Sequence, residues 1–352
     1  MPFHEARLRK RARGDGDLAA ARIVRLSVMR TSFSIRAQAK VRTAPKKPQA
    51  LTPGNRVAVF SPSSPADADR TGKGIEELKR LGFSVEPSSL IFAEGYFAAS
   101  AENRAEELKR LLADNAFRGL FALRGGYGSN SLLDQLDNYT PGSPKCIVGF
   151  SDLTSLQIFL WQKAGWITMY GPMVSAGLDS GAGAPNGYDR ESLETAIRGN
   201  KSSWSLDLLA ESLVVGKAEG RILGGCLTLV ETTLGTPCEL DTSDSILLLE
   251  DRGMKPWQVD RALMHLLQAG KFKNIRGILL GDFPECEPPL AGSPTVRDVC
   301  ARILAPLGVP IVFGAPVGHT SRPMLTAPLG VRARLISEGQ GRLEILEPAV
   351  VP

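Results

Sequence analysis

The sequence is poor in the residues that build metal sites and disulfide frameworks. It contains three histidines, and its five cysteines are scattered, with no pair at C-x-x-C spacing. The cysteines are therefore expected to be reduced thiols. We expect neither a structural zinc site nor a histidine-rich metal site. No apolar run reaches the roughly 18 residues that a membrane-spanning helix needs. We accordingly predict no metal, no cofactor and no membrane partner.

Positive charge is concentrated near the N-terminus. The whole chain has a net charge of +5, but residues 1–50 contain 13 Lys and Arg against three acids. The rest of the chain therefore holds 29 basic and 34 acidic residues, which makes it mildly acidic. The net positive charge of the whole chain therefore does not describe the part beyond residue 50, and it does not indicate a nucleic-acid partner.

Residues 1–50 are interpreted as a basic leader outside the fold. Residues 18–50 contain no Asp or Glu, while Arg, Ser and Ala recur, which is typical of an organellar transit peptide. The apolar stretch of a secretory signal is missing, and Met29 begins a more typical presequence that could be the true start. A disordered tail is the alternative. The expected location is a plastid or other organelle if the leader is a transit peptide, and otherwise the cytoplasm.

Short apolar runs alternate with helical patterns beyond the leader. Strands are predicted at 57–60, 83–85, 119–123, 146–148 and 167–170, and the last of them is expected to complete the first domain. Such alternation predicts an α/β fold with a parallel sheet and helices on both faces. The predicted domains are an N-terminal α/β domain over 54–175, a linker or lid over 176–218 and a second domain over 219–350.

Three loops are predicted to meet at the carboxyl ends of the first set of strands, where such sheets bind ligands. They span residues 61–65, 124–129 and 150–152. Ser151 lies at a sharp strand-to-helix turn, where its hydroxyl and the amide of Asp152 would face outward as in a nucleophile elbow. The alternative is that Ser151 only caps the helix. The glycine-rich loop 124–129 has three interpretations. It forms a tight turn, it binds a phosphate, or its small residues let the backbone come close to Ser151.

Two polar residues of the second domain follow apolar strands. Glu250 ends a buried run, where a carboxylate needs a partner, and His319 follows the run at 310–313. Ser151, Glu250 and His319 have the residue types of a hydrolase triad. Their order is that of α/β-hydrolases, but the sequence around Ser151 lacks the second glycine of G-x-S-x-G, so that fold is not expected. His265 lies among leucines in a helix and is not a candidate.

A set of short motifs follows in order along the chain. They are Arg-Gly-Gly-Tyr-Gly at 124–128, Gly-Phe-Ser-Asp-Leu-Thr at 149–154, Gly-Pro-Met at 171–173, Gly-Gly at 224–225, Leu-Gly-Thr-Pro at 234–237, Leu-Leu-Glu-Asp at 248–251 and Gly-His at 318–319. Together they resemble the LD-carboxypeptidase family, which comprises the muramoyl-tetrapeptide carboxypeptidases and the microcin-immunity peptidases. The resemblance covers about residues 54–350.

The resemblance implies a flavodoxin- or amidotransferase-like N-terminal domain and a swivelling β/β/α C-terminal domain. It also implies a homodimer, with the active site between the two domains. The family's nucleophile, glutamate and histidine fall on Ser151, Glu250 and His319, in agreement with the choice made from the residues. Family members commonly have Asn after the Gly-Gly pair, where this chain has Cys226, and this leaves the substrate contacts near Gly225 open.

The activity implied by the resemblance is serine-type, metal-independent hydrolysis of the amide before the terminal D-Ala of muropeptide tetrapeptides. One alternative is a detoxifying amidase acting on aminoacyl- or peptidyl-nucleotides, and another is a non-catalytic protein that binds an anion at 124–129. For the enzyme, the backbone amides of Asp152 and Gly126 are the expected oxyanion donors. Arg124, Gly125 and the loop around Ser63 are the expected substrate contacts.

Overall fold

Two β-sheets and their helices form the part of the protein that the computed structural model describes, residues 44–90 and 95–352. The strands are β1 Arg56–Phe60, β2 Ser84–Glu86, β3 Phe117–Ala122, β4 Cys146–Gly149, β5 Thr168–Tyr170, β6 Trp204–Asp207, β7 Glu211–Val214, β8 Gly216–Cys226, β9 Ser245–Glu250, β10 Gly277–Gly281, β11 Ile311–Ala315, β12 Ala327–Leu329, β13 Arg332–Ser337 and β14 Arg342–Ile345. The helices are α1 Ala68–Arg80, α2 Ala101–Ala113, α3 Asn130–Leu136, α4 Thr154–Ala164, α5 Arg190–Arg198, α6 Leu227–Thr232, α7 Pro256–Gln268 and α8 Val296–Leu304.

The first sheet has the strand order β12-β5-β4-β3-β1-β2. Strands β1 to β5 are parallel, and β4 is buried along its whole length. Burial of this kind explains why β1, β3 and β4 are mostly apolar runs in the sequence rather than alternating ones, since helices cover both faces of a parallel sheet. The predicted α/β class with an N-terminal parallel sheet is confirmed.

The edge of the first sheet comes from a distant part of the chain. Strand β12 pairs antiparallel with β5, so that Ala327 lies opposite Tyr170. The expectation that 167–170 completes this sheet is therefore wrong. Strand β12 has three residues, all of them buried, and so short a segment shows no periodicity that would identify it as a strand.

The second sheet is mixed and has the strand order β6-β14-β13-β8-β9-β10-β11-β7. Its central strands β8, β9, β10 and β11 are parallel, with Cys226 opposite Glu250 at the carboxyl ends of β8 and β9. The predicted linker, 176–218, contains α5 together with β6 and β7, which form the two edges of this sheet. The sequence analysis did not find those two strands. The domain boundaries themselves stay predictions.

The residues just before position 51 belong to the fold. The backbone N–H of Lys46 donates to Gly165 O over 2.7 Å, and that of Ala50 donates to Val351 O over 2.7 Å. The assignment of residues 46–50 to a leader outside the fold is therefore wrong. Residues 1–43 of the predicted leader, with Met29 and the transit-peptide prediction, lie outside the described residues. Among the helices that are described, none has the length and apolar character to cross a membrane.

Candidate active site

Ser151 lies at the turn between β4 and α4 with a positive φ of 61°. A 3-10 turn, Ser151–Leu153, follows at once and leads into α4. Positive φ is uncommon for a residue with a side chain, and such strain is found at functional sites. The residue before α4 is Leu153, so capping of that helix does not account for Ser151. Its backbone geometry is that of a nucleophile elbow.

Glu250 and His319 form a hydrogen-bonded pair. Glu250 ends β9 and is completely buried, and its Oε2 accepts both the His319 Nδ1–H, over 2.8 Å, and the His319 backbone N–H, over 2.9 Å. Gly318 permits this approach, because a Cβ at that position would lie 2.4 Å from Glu250 Cδ. With Nδ1 directed at the carboxylate, the Nε2 of the imidazole is left to act as a base.

Burial and the neighbouring carboxylates shift the pKa of His319 in opposite directions. Burial by itself lowers the pKa of the imidazole, but the Glu250 carboxylate raises it through its charge and its hydrogen bond, and the net pKa is raised. Asp251 raises the pKa of His319 further, whereas Arg252 lowers it. His319 is therefore more basic than an ordinary histidine, as a general base paired with a carboxylate is expected to be.

Phe150 and Tyr170 connect the serine to this pair. The Phe150 ring meets the His319 ring edge-on, with the ring centroids 5.1 Å apart. The Tyr170 hydroxyl donates to Glu250 Oε1, and its oxygen accepts the Ser151 backbone N–H over 3.4 Å. The structure thus brings the three residues singled out from the sequence into one cluster at the junction of the two sheets, while their catalytic roles stay predictions.

The carboxylate of Asp152 ties the three loops together. Its Oδ2 accepts the Ser63 hydroxyl over 2.5 Å and the Ser129 backbone N–H over 2.7 Å. Burial raises the pKa of Asp152, and the hydrogen bonds from Ser63 and Ser129 partly offset that rise. The predicted meeting of the loops is confirmed. The hydroxyl of Ser63 is buried and is used within the protein, and a role for Ser63 toward the substrate stays a prediction.

The glycine-rich loop runs directly beside the serine. A Cβ on Gly125 would lie 3.0 Å from Ser151 Oγ and 3.4 Å from the Asp152 amide nitrogen. The interpretation of this loop as a close approach to Ser151 is therefore confirmed. Gly126 instead faces Ser64, whose Oγ accepts the Tyr127 N–H over 3.1 Å. The amides of Asp152 and Gly126 stay predicted oxyanion donors.

Arg124 is exposed at the start of the same loop. Its Nη1 donates to the carbonyl of Pro65 over 3.0 Å. The guanidinium thus lies between the loops that carry Ser63 and Gly125, and it has donors left over for a ligand. Its role toward a substrate stays a prediction.

Cys226 lies beside Glu250 at the end of the neighbouring strand. Its backbone N–H donates to Thr154 Oγ1 over 3.1 Å, and its thiol lies 3.5 Å from Asp251 Oδ2. Burial, with the charge of Asp251, raises the pKa of the thiol well above its ordinary range. The thiol therefore stays protonated and is not a competing nucleophile.

Sequence reasoning missed Tyr170 and Thr154. Tyr170 was identified only as the end of a strand, and Thr154 only as the last residue of the motif at 149–154. The one available signal was position, because the carboxyl ends of adjacent parallel strands β4 and β5 meet at the same edge. Tyr170 contacts Glu250 and Thr154 contacts Cys226 across the junction between the sheets, and no local sequence pattern predicts such contacts.

Models of the N-terminal and C-terminal domains of LD-carboxypeptidases match residues 57–171 and 219–335 of this chain. A Bacillus subtilis protein named a probable murein peptide carboxypeptidase is 32% identical over 294 residues, which cover 82% of this chain and 91% of that protein.

Comparison with solved structures also shows that the fold is similar to those of proteins of this kind. A muramoyltetrapeptide carboxypeptidase from Oxalobacter formigenes is 26% identical, with a TM-score of 0.73 over 83% of this chain and 99% of that chain. The microcin immunity protein MccF, in complex with glutamyl sulfamoyl guanosine, is 24% identical and superposes with a TM-score of 0.76, over 87% of this chain and 100% of that one. With both domain models matched in order and the relationship extending over most of its length, the chain belongs to the LD-carboxypeptidase family of peptidases.

Proposed function

We propose that this protein is a serine carboxypeptidase that uses Ser151, Glu250 and His319, without a metal, to release the terminal D-Ala from muropeptide tetrapeptides. Membership of the family supports a peptidase, and the name of the Bacillus subtilis relative supports a murein peptide as substrate. The observation that carries the proposal is the strained elbow at Ser151 beside the buried Glu250–His319 pair.

In the first step, Nε2 of His319 takes the proton of Ser151 Oγ as that oxygen attacks the peptide carbonyl. Glu250 holds the imidazole through Nδ1 and stabilises its positive charge, as supported by the 2.8 Å hydrogen bond. Such general base catalysis contributes roughly 10²–10⁴-fold to the rate.

The negative charge that develops on the carbonyl oxygen of the substrate needs hydrogen-bond donors near the Ser151 turn. The Asp152 amide is supported as a donor by its position beside Gly125 and the serine hydroxyl. The Gly126 amide is the second donor. One oxyanion donor is worth roughly 10²–10³-fold in rate.

In the second half of the reaction, His319 gives its proton to the leaving amine as the C–N bond breaks. Water then attacks the acyl-enzyme, with His319 again acting as the base and Ser151 recovering its proton. The departing amino acid carries a free carboxylate. Arg124 is the better supported partner for it, because Arg124 is exposed whereas the Ser63 hydroxyl donates to Asp152.

A second candidate is hydrolysis of aminoacyl- or peptidyl-nucleotides. It is favoured by the likeness in fold to a structure that holds glutamyl sulfamoyl guanosine. The proposed triad is common to both candidates, so the substrate has to be tested directly.

The test is a mass-resolved digest of L-Ala-D-Glu-meso-diaminopimelate-D-Ala by the full chain. We compare the wild type with Ser151→Ala and with Ser205→Ala, a control at an exposed position of β6. Release of D-Ala by the wild type and the control, but not by Ser151→Ala, supports both the nucleophile and the substrate class. Absence of release by folded wild type contradicts the muropeptide proposal, and cleavage of an aminoacyl-sulfamoyl nucleoside would then support the second candidate.

A further inference from the structure

We propose that Tyr170 is a positioning residue that fixes the geometry between the Ser151 elbow and the Glu250–His319 pair. This inference rests on the proposed function, since it assumes the triad. Tyr170 ends β5 and is completely buried, and its hydroxyl lies between the two halves of the site. It donates to Glu250 Oε1 and accepts the Ser151 backbone N–H.

The need for such a residue follows from how the triad is divided. Ser151 follows a strand of the first sheet, whereas Glu250 ends one strand of the second sheet and His319 follows another. No single strand or loop therefore fixes the distance from the serine to the histidine. A hydroxyl that is bonded to the elbow on one side and to the carboxylate on the other joins them through two hydrogen bonds.

The two oxygens of Glu250 have separate partners. Oε2 accepts both donors of His319, and Oε1 accepts the Tyr170 hydroxyl. A buried carboxylate oxygen without a donor is costly, so the loss of the tyrosine hydroxyl would favour a rotated carboxylate. Rotation would weaken the bond that orients the imidazole.

The direction of the hydrogen bonds is fixed by proton count. A phenol has one proton, and the Tyr170 hydroxyl gives it to Glu250. Its oxygen then accepts from Ser151, and the nearby hydroxyl of Thr154 partly offsets the rise in the pKa of the phenol. Thr154 in turn accepts the Cys226 N–H over 3.1 Å, which adds a second link between the sheets. Burial, with the charge of Glu250, raises the pKa of Tyr170 well above its ordinary range, so the phenol remains a donor.

Ring packing supports the same role. The Phe150 ring meets the Tyr170 ring edge-on, with centroids 6.2 Å apart, and meets the His319 ring at 5.1 Å. Phe150 therefore contacts both the tyrosine and the imidazole. A shift of the Tyr170 ring would displace Phe150 against His319 because packed rings have little free space.

The test compares Tyr170→Phe with Tyr188→Phe in the full chain. Tyr188 is a matched control: it is also buried, and its hydroxyl donates to the buried Glu77 over 2.6 Å, with none of the triad residues among its partners. The probe is a fluorophosphonate that reacts with an activated serine, and its second-order rate at Ser151 is measured against pH. Release of D-Ala from the tetrapeptide is measured in parallel, as kcat and KM.

For Tyr170→Phe we expect a roughly 10- to 100-fold loss in labelling rate and kcat, with little change in KM. The acid limb of the pH profile should move to lower pH, because a rotated Glu250 carboxylate, with a weaker hydrogen bond to Nδ1, raises the pKa of His319 less. The other charged groups that act on His319 are Asp251, Arg252 and Glu285, and they are unchanged in this variant. Tyr188→Phe should retain the wild-type rate and profile.

A folded Tyr170→Phe variant with the wild-type rate and pH profile would overturn the inference. If that variant does not fold, Thr154→Val removes the second hydroxyl of the network and should lower the rate in the same direction, and an unchanged rate would equally overturn it. Wild type that is labelled at Ser151 but releases no D-Ala would contradict the substrate alone. Wild type that is neither labelled nor active would refute the proposed function together with the inference.

Discussion

At the scale of single residues, the imidazole of His319 governs how the proposed reaction should depend on pH. A general base must be neutral, and the Glu250 carboxylate raises the pKa of this histidine. The value of kcat/KM should therefore fall as the pH is lowered through a pKa above that of an ordinary histidine.

Removing the charge of Glu250 should reverse that shift. In Glu250→Gln we expect the acid limb of kcat/KM to move to lower pH and the maximum to fall by about 10²–10⁴-fold, since the imidazole loses its orienting partner. Glu76→Gln is the control: it removes the same charge from an exposed carboxylate of α1 that pairs with Lys79. Equal shifts in the two variants would contradict a specific role for Glu250.

Gly125 allows a second prediction at this scale. A Cβ there would lie 2.9 Å from Ser151 Cβ and 3.0 Å from its Oγ, while the backbone of Gly125 is not in the left-handed region. Gly125→Ala should thus act by steric contact alone, and a displacement near 1 Å can lower the rate about 10²-fold. Gly72→Ala, in α1, meets no atom within 4 Å and should leave kcat/KM unchanged. Wild-type activity in Gly125→Ala would show that the loop does not touch the reacting serine.

At the scale of elements, the Asp152 carboxylate joins three loops through its hydrogen bonds. Ser63→Ala removes the hydroxyl that donates to it and leaves a buried acceptor with one donor fewer. The free energy of unfolding should fall by about 1–3 kcal/mol. Denaturant unfolding measures it, and the exposed Ser205→Ala serves as the control. A rise in KM without any loss of stability would instead support the sequence prediction that Ser63 contacts the substrate.

The elements that could be predicted from the sequence are those with a local signal. Strands β1, β3 and β4 are apolar runs followed by turn residues, and helix α2 has the period of an amphipathic surface helix. The edge strands β6, β7 and β12 have three or four residues and escaped prediction.

The candidate site divides in the same way. Ser151, Glu250 and His319 were found because each lies at the end of an apolar strand or shortly after it, and strand ends meet at one edge of a sheet. The Tyr170 hydroxyl was not found, since its partners are contributed by other segments of the chain. Contacts of that kind depend on how the two sheets come together, which no local pattern encodes.

At the scale of the whole molecule, the two ends of the described chain hold each other. Ala50 donates to Val351 O, Val351 donates to Pro48 O, and Lys47 pairs with Glu347 over 2.9 Å. A chain that begins at residue 51 should therefore be less stable than one that begins at 44, by about 0.5–1.5 kcal/mol for each hydrogen bond lost. Thermal unfolding of the two truncated chains checks this. Equal stability would mean that 46–50 contribute nothing to the fold.

Strand β12 has a consequence for the order in which the protein is made. Its partner β5 leaves the ribosome more than 150 residues earlier. The edge strand of the first sheet is therefore missing until almost the whole chain has been synthesised. During that interval β5, which ends in Tyr170, presents unpaired backbone groups that could recruit another chain. Residues 327–329 close that edge last, and a nascent chain halted before them carries the serine elbow on a sheet that is still open.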